Sequence, residues 1–286
     1  MDKARQTLQE LAAHMDCHRE IRSAHFPALE ADLPDHVGNM LRRSRSDRGW
    51  SQRRTAELLC ISRAQYLRYE SGAAMPRLHT ASLWSLVFGA PPAILLAPSQ
   101  YGRRERQVPP HFFQLSDWLC RAPTTVFYDT LNHLQQLLSV QVELPDPEQC
   151  HLTPSLMSDA IKEVQGYEIY LTVGANLRLV RQLLGYSQED MANALGISTS
   201  HFLSIERGDV TYSFVMLPRF AYSMQLPPLA LTINTRYYKA RQALSVRFNA
   251  VLDLLDQLPE TLREPAMQHV VSTMTLYTRG QGARQQ

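Results

Sequence analysis

Apolar side chains recur every three or four residues along most of this 286-residue chain, and short polar or proline-containing breaks separate the runs. This period is that of an α-helix, in which positions three and four apart share one face. The pattern predicts helices over residues 1–23, 37–48, 124–142, 155–170, 235–257 and 259–277. We therefore expect an all-α fold.

One stretch of the chain occurs twice. Residues 49–72 return 136 positions later as residues 185–208, and ten of the 24 aligned positions are identical. Upstream, the pattern LRxxR keeps the same offset, at 41–45 and 177–181. A repeat of this kind indicates two copies of one structural unit.

Each copy carries the signals of two short helices joined by a tight corner. In the first copy, Ser51 and Ser62 are predicted N-caps, because a serine hydroxyl accepts a hydrogen bond from the first helical turn. Ile61 at the corner is expected to be buried, as is its counterpart Ile197, and Gly72 is expected to end the second helix. Two short helices with such a corner form a helix-turn-helix.

The repeated pattern resembles the lambda repressor-like, Cro-type helix-turn-helix domains, also called the xenobiotic response element family. The resemblance spans roughly 37–97 and 172–233. It is carried by two patterns, LRxxR and G-[WY]-S-Q-x3-A-x2-L-x-I-S-x3-[FY]-L-x2-E-x-G. The last two helices of such a domain are suggested by 75–96 and 214–233. One position departs from the family: Cys60 stands where the turn usually has glycine, as Gly196 does, so the first corner is either strained or tolerant of a small side chain.

The resemblance implies a site that reads the major groove of DNA. In such domains the N-terminal residues of the second motif helix reach the base edges. Carried over to this sequence, the base contacts are Ser62, Arg63, Ala64 and Arg68 in the first copy and Thr199, Ser200 and Ser204 in the second. The two arginines suit bidentate contacts to guanine, whereas the hydroxyls of the second copy are less selective.

Two further groups of residues follow from the resemblance. Contacts to DNA phosphates would come from Arg42, Arg43, Gln52, Arg53 and Gln188. Arg45 with Glu70, and Arg181 with Glu206, match an ion pair between the first helix of the domain and the end of the reading helix. We expect these four residues to be structural, because a lone charge in a partly buried site is costly.

Charge separates the two copies. Residues 41–77 hold nine arginines against three acids, a net charge of +6, while residues 177–213 hold three arginines against four acids, a net charge of −1. Because phosphate neutralisation supplies most non-specific affinity for DNA, the first copy is expected to dominate binding. The second copy either reads a neighbouring half-site or serves packing and partner recognition.

The rest of the chain surrounds these copies. We expect an N-terminal helical extension (1–36), the first domain (37–97), a linker with connecting helices (98–170), the second domain (171–233), and C-terminal helices with a flexible tail (234–286). A proline pair and a basic cluster predict a linker over 98–123. The cluster, Arg103, Arg104 and Arg106, either is solvated or touches DNA phosphates.

Composition narrows the function classes. A chain that is 44% hydrophobic and 20% charged is globular, and its formal net charge of +2 decides little about partners. With no apolar signal-peptide core and no run of about 20 apolar residues, a cytoplasmic protein without membrane contact is expected.

His14, Cys17 and His18 share one helical face but lack a fourth ligand, so we predict no metal and no cofactor. Without a nucleophile motif or phosphate loop, we predict no enzyme.

These features favour a sequence-specific transcriptional regulator that binds double-stranded DNA, with a homodimer as the expected assembly. An alternative is a protein-binding module that uses the same scaffold, with helices 124–142 and 235–257 as the surface, for example at Leu134 or Leu252. A thiol or metal sensor built on the regulator through Cys60 or the histidine cluster stays open.

Overall fold

A computed structural model describes residues 6–7, 26–97, 112–224 and 227–283. Within these ranges the chain forms α-helices and two 3-10 turns, and its one extended contact is an isolated antiparallel bridge. The all-α prediction is confirmed. Three predicted features fall outside the described residues: the N-terminal helix over most of its length, the cluster His14, Cys17 and His18, and the basic cluster at 103–106.

The first repeated unit is a compact group of helices. The short helix α1 (Phe26–Glu30) precedes it, and its elements are α2 (Leu33–Asp47), α3 (Gln52–Leu58), α4 (Arg63–Glu70), α5 (Leu78–Val87) and a 3-10 turn at Pro92–Leu96. Ser51 and Ser62 cap α3 and α4, each hydroxyl accepting a backbone hydrogen bond of 3.1 Å. The first long helix starts earlier than the predicted residue 37, because Pro34 suits its first turn.

Three helices connect the repeated units: α6 (Phe112–Arg121), α7 (Thr124–Leu138) and α8 (Pro154–Gln165). The linker assignment was wrong for 112–121, where the apolar residues Phe113, Leu115 and Leu119 are buried in one face of a regular helix. The predicted helix over 124–142 ends four residues early, because Ser139 adopts a left-handed backbone conformation.

The second unit repeats the element order of the first. It consists of α9 (Glu168–Leu183), α10 (Gln188–Leu195), α11 (Thr199–Arg207), α12 (Met216–Met224) and a 3-10 turn at Pro228–Thr232. The two 3-10 turns are separated by the same 136 positions as the sequence repeat. In both units the corner isoleucines are half-buried rather than buried, so the burial predicted for Ile61 and Ile197 was too deep.

Two long helices, α13 (Arg236–Asp256) and α14 (Glu260–Ala283), follow the second unit. With α6 and α7 they enclose a separate hydrophobic core that includes Trp118, Phe127, Val251 and Leu254. The last helix extends six residues past the predicted end at 277. Leu134 is 2% exposed in this core, so the partner surface suggested at that residue is wrong.

A glycine in each unit permits close packing of two helices. A Cβ atom on Gly38 of α2 would lie 2.7 Å from the carbonyl oxygen of Tyr69, and one on Gly174 of α9 would lie 2.5 Å from that of Ile205. Real Cβ atoms do not approach carbonyl oxygens so closely. The second motif helix of each unit is therefore packed directly on the backbone of the first helix of that unit.

The two units join through backbone at equivalent positions. The amide of Leu78 donates to the carbonyl of Tyr212 at 3.0 Å, and the amide of Phe214 donates to the carbonyl of Pro76 at 2.9 Å. Each bond is the counterpart of the other under the offset of 136 positions. An antiparallel pair of this kind has local two-fold symmetry, so the two units meet as pseudo-equivalent halves.

Side chains extend this junction. His79 of α5 lies 3.0 Å, through its Nδ1, from the hydroxyl of Tyr170 on α9, and burial with the nearby Arg77 guanidinium lowers the pKa of His79 to about 4. On the other side, Arg219 of α12 makes two contacts of 2.7 Å with the carboxylate of Glu30 on α1. The helix that leads into the first unit is thus tied to the second.

Alanine at Gly38 is expected to destabilise the fold by about 1–3 kcal/mol, because the added methyl group overpacks the contact with α4. Helix propensity alone would predict that Gly38→Ala stabilises the fold, because alanine is favoured over glycine within a helix. Chemical denaturation of the full chain measures the change.

Gly49→Ala is the matched control. Unlike the helical Gly38, Gly49 has a positive φ, of 64°, and nothing lies within 4 Å of an added Cβ atom, so a backbone cost of about 1–2 kcal/mol applies and no packing clash. A Gly38→Ala protein at least as stable as the natural chain would contradict the close approach.

Candidate nucleic-acid interface

The helix α4 presents a basic surface while its other face is buried. Arg63, Ala64 and Arg68 are exposed, and Tyr66 and Tyr69 are buried against the unit. The hydroxyl of Tyr66 donates to the carbonyl of Leu41 on α2 at 3.3 Å, which fixes the rotation of α4 about its axis. The rotation turns both arginines to solvent.

Ser62 differs from the other residues predicted to contact bases. Its hydroxyl accepts the backbone amide of Gln65 at 3.1 Å and so caps α4. Ser62 is exposed, but its hydroxyl oxygen already accepts this structural hydrogen bond.

The equivalent helix α11 presents hydroxyls instead of guanidinium groups. Thr199 and Ser200 are exposed, and Ser204 is half-buried. The Ser204 hydroxyl donates to the carbonyl of Ser200 at 3.1 Å, and the Ser200 hydroxyl lies 3.2 Å from that of Ser198. These short side chains are thus partly occupied by bonds within their own helix.

A buried carboxylate holds the first unit together beneath this surface. Glu70, at the end of α4, is 4% exposed and accepts Arg45 Nε at 2.6 Å and Gln52 Nε2 at 3.0 Å. Burial alone would raise the pKa of Glu70, but the hydrogen bonds from Arg45 and Gln52 outweigh it and the pKa is lowered. Arg45 also donates to the carbonyl of Trp50 at 3.0 Å. One carboxylate thus joins α2, α3 and α4.

The second unit contains the same arrangement. Glu206 is 2% exposed and accepts Arg181 Nε at 2.7 Å and Gln188 Nε2 at 3.1 Å, and Arg181 donates to the carbonyl of Tyr186 at 3.0 Å. Every partner is the counterpart of the first set under the offset of 136 positions. Gln52 and Gln188, which the sequence assigned to phosphates, therefore each bond a buried glutamate within the protein.

The remaining residues predicted to contact phosphates lie at the surface with bonds of their own. Arg53 is exposed and pairs with Glu57 at 3.0 Å, and Arg43 pairs with Asp47 at 3.7 Å. Arg42 is exposed and donates to the carbonyl of Glu70 at 3.1 Å. Exposed pairs of this type are weak, and a phosphate competes readily for such a guanidinium.

Not every arginine in the basic span is available to DNA. The side chain of Arg48 is 5% exposed, pairs with Asp117 of α6 at 2.5 Å and donates to the carbonyl of Phe88 at 2.9 Å. Burial lowers its pKa to about 10, in spite of the neighbouring carboxylate. Because Asp117 lies outside the span 41–77 and neutralises this arginine, the excess charge of the span falls from +6 to +5. The first copy therefore stays strongly basic, whereas the second copy has a net charge of −1.

The corner before α4 has the unusual conformation that glycine would favour. Cys60 has a φ of +54°, and its sulfur accepts Gln165 Nε2 of α8 at 2.9 Å. Its counterpart Gly196 has a φ of +65°. The first corner therefore adopts the same turn as the second at the cost of a left-handed non-glycine residue. In the sequence, this position is marked by a cysteine, Cys60, where the second copy has Gly196.

Asp190 of the second unit caps a helix. Asp190 accepts the backbone amide of Ser187 at 2.9 Å, and Ser187 in turn accepts that of Asp190, so the two residues form a capping box at the start of α10. Hydrogen bonds from Ser187 lower the pKa of Asp190. One of the four acids behind the net charge of −1 thus has a local structural role.

Residues 41–95 match the model of the helix-turn-helix family. The matched range covers the first unit from within α2 to the 3-10 turn, and it does not reach the second unit. No curated protein and no solved structure matches the chain. Among the described residues, none of the helices combines the length and apolar character that crossing a membrane requires.

Replacing the buried carboxylate is expected to weaken the fold strongly. Glu70→Gln leaves the Arg45 cation without its counter-charge in a mostly buried position, a change that typically costs about 3–5 kcal/mol. Glu57→Gln, which breaks the exposed pair with Arg53, is the control and is expected to cost under about 1 kcal/mol. Urea denaturation at pH 7 measures both. Similar losses from the two variants would show that the buried pair contributes no more than a surface contact.

Proposed function

We propose that the protein is a sequence-specific transcriptional regulator that reads the major groove mainly through α4. The match of residues 41–95 to the helix-turn-helix family supports this proposal. The observation that carries the proposal is the exposure of Arg63 and Arg68 on a helix whose opposite face is locked into a matched helix-turn-helix domain. Bidentate arginine contacts to guanine are the commonest specific contacts in the major groove.

The second unit would act as a weaker reader in the same chain. Its helix α11 occupies the position that α4 occupies in the first unit, and Thr199 and Ser200 are exposed on it. Its net charge of −1 over residues 177–213 leaves little attraction to phosphates. We expect the basic unit to supply the affinity and the hydroxyl-bearing unit to extend the recognised site.

The junction between the units bears on the assembly. Because the bridge at Arg77 and Ser213 pairs the units about a local two-fold axis, one chain offers two reading helices in inverted relation. In helix-turn-helix dimers this relation matches two half-sites of opposite orientation. We propose that one chain occupies one inverted but asymmetric operator, with no second copy required.

Selection of genomic fragments followed by footprinting identifies the operator, and variants then test the reading residues. Arg63→Ala/Arg68→Ala is expected to weaken specific binding by at least tenfold, because each bidentate contact is worth about 1–3 kcal/mol. Thr199→Ala/Ser200→Ala/Ser204→Ala is expected to shorten the footprint on one side with a smaller loss of affinity. Arg236→Ala/Lys239→Ala removes two exposed cations of α13 and is the charge-matched control.

Equal losses from the α4 variant and the α13 control would contradict base reading by α4, since the effect would then be one of charge alone. An unchanged footprint in the second variant would assign α11 to packing or partner recognition. A protein that binds no fragment more tightly than random DNA at moderate salt would overturn the proposed function.

The stoichiometry is a separate prediction. The mass of the complex on the isolated operator, measured by native mass spectrometry, is expected to correspond to one chain per duplex. Two chains per duplex would instead support the homodimer expected from the sequence, with the basic units on the outer half-sites.

A further inference from the structure

A cavity of about 160 Å³ lies at the junction of the two units and is partly open to solvent. Its walls come from equivalent positions of the two copies, since Leu78 faces it with its counterpart Phe214, and Pro91 with its counterpart Pro227. The cavity therefore straddles the local two-fold axis next to the backbone bridge. Most of its lining is apolar.

One side of the cavity is supplied by α13. Tyr237, Arg241 and Ser245 are spaced four residues apart, so they share one face of that helix, and all three line the cavity. The hydroxyl of Tyr237 is 3.0 Å from that of Ser85 on α5. A polar strip thus runs along one wall of an otherwise apolar space.

Arg241 is unusual among the buried cations of the protein. It is 2% exposed, and its acceptors in the described part of the chain are two carbonyl oxygens, both bonded by Nη1: that of Gly89 at 3.1 Å and that of Ser85 at 3.5 Å. Among the described residues no carboxylate pairs with it. Two of its nitrogens, Nε and Nη2, are left to meet an acceptor in the cavity that the residue lines.

Arg247, two turns further along α13, shows what a purely structural buried arginine looks like in this chain. It is 0% exposed, and its three nitrogens donate to the carbonyls of Leu119, Ala122 and Cys150 and to the hydroxyl of Thr124. The helix α13 thus carries one guanidinium, that of Arg247, whose three nitrogens all donate, and one, that of Arg241, for which bonds are seen from Nη1 alone among the described residues. A buried cation without a counter-charge is costly, and a few placed polar groups in an otherwise apolar cavity are typical of a ligand site.

We propose that this cavity binds a small organic monocarboxylate with an apolar body of about one ring, its carboxylate on Arg241 and its apolar part between Leu78 and Phe214. The size follows from the volume, since a cavity of about 150 Å³ lined by apolar side chains is known to accept benzene. The charge follows from the two spare guanidinium donors, because a carboxylate accepts them in parallel.

The position of the cavity gives the ligand a regulatory role, which rests on the function proposed above. Its walls belong to α5 of the first unit and to α12 and the neighbouring 3-10 turn of the second. A ligand that touches both units favours the relative placement of α4 and α11 that it fits best, and so changes the affinity for an operator read by both.

Binding is tested on the full chain without DNA. Isothermal titration calorimetry with sodium phenylacetate is expected to show one site per chain, with binding at least tenfold tighter than that of phenylacetamide, its uncharged counterpart. Equal affinities, or no binding of phenylacetate, would overturn the proposal.

Variants locate the site. Arg241→Met removes the guanidinium, keeps an unbranched apolar stem, and is expected to remove the preference for the acid over the amide. Because this variant risks misfolding, Ala93→Phe and Ser245→Phe fill the cavity from a surface-exposed and a half-buried position and are expected to abolish binding while retaining the helical circular dichroism of the natural protein. Undiminished binding in both filled variants would overturn the assignment to this cavity.

A final titration separates the ligand site from the DNA-reading function. Phenylacetate is expected to change the operator affinity of the natural chain and not that of Ser245→Phe. An unchanged operator affinity, with phenylacetate bound, would overturn the regulatory role and leave the site standing. Absence of any specific operator would count against the proposed function alone, since calorimetry reports the site independently.

Discussion

Each repeated unit is built around a glutamate that is buried yet charged. Glu70 and Glu206 are 4% and 2% exposed, and each is joined to an arginine of the first helix and to a glutamine at the start of the next. A carboxylate in such a position is stable only when its acceptors are satisfied, so three helices must keep one relative orientation. The orientation of α4, and with it the direction of Arg63 and Arg68, depends on that constraint.

The junction of the units uses a different kind of contact. Two backbone hydrogen bonds at Leu78 and Phe214 join positions that the repeat makes equivalent, while the side chains on either side of them differ. Backbone contacts tolerate such divergence, because they do not depend on side-chain identity. This accounts for a pseudo-symmetric pair of units in which one surface is basic and the other carries hydroxyls.

The helices outside the repeat provide the support for this pair. Arg48 reaches Asp117 on α6, Arg247 bonds the backbone between α6 and α7, and Gln165 of α8 donates to Cys60 at the first corner. Buried arginines that donate to carbonyl oxygens hold irregular segments in place where regular hydrogen bonding ends. The connecting helices thus act as a scaffold that fixes the two units relative to each other, and the cavity beside Arg241 lies in the space that this arrangement leaves.

The residues alone were sufficient for features that depend on near neighbours in the chain. The all-α class and the caps at Ser51 and Ser62 follow from helical period and from contacts three or four residues apart. The choice of Arg63 and Arg68 came from the family resemblance, and both are exposed. The helix at 112–121 does have helical spacing of its apolar residues, but the proline pair just before it led to a linker assignment. The pairing of Arg48 with Asp117 and the bridge between Arg77 and Ser213 could not be foreseen, because these partners lie 69 and 136 positions apart. Such contacts leave no periodic trace in the sequence, and the folded chain is what brings their partners together.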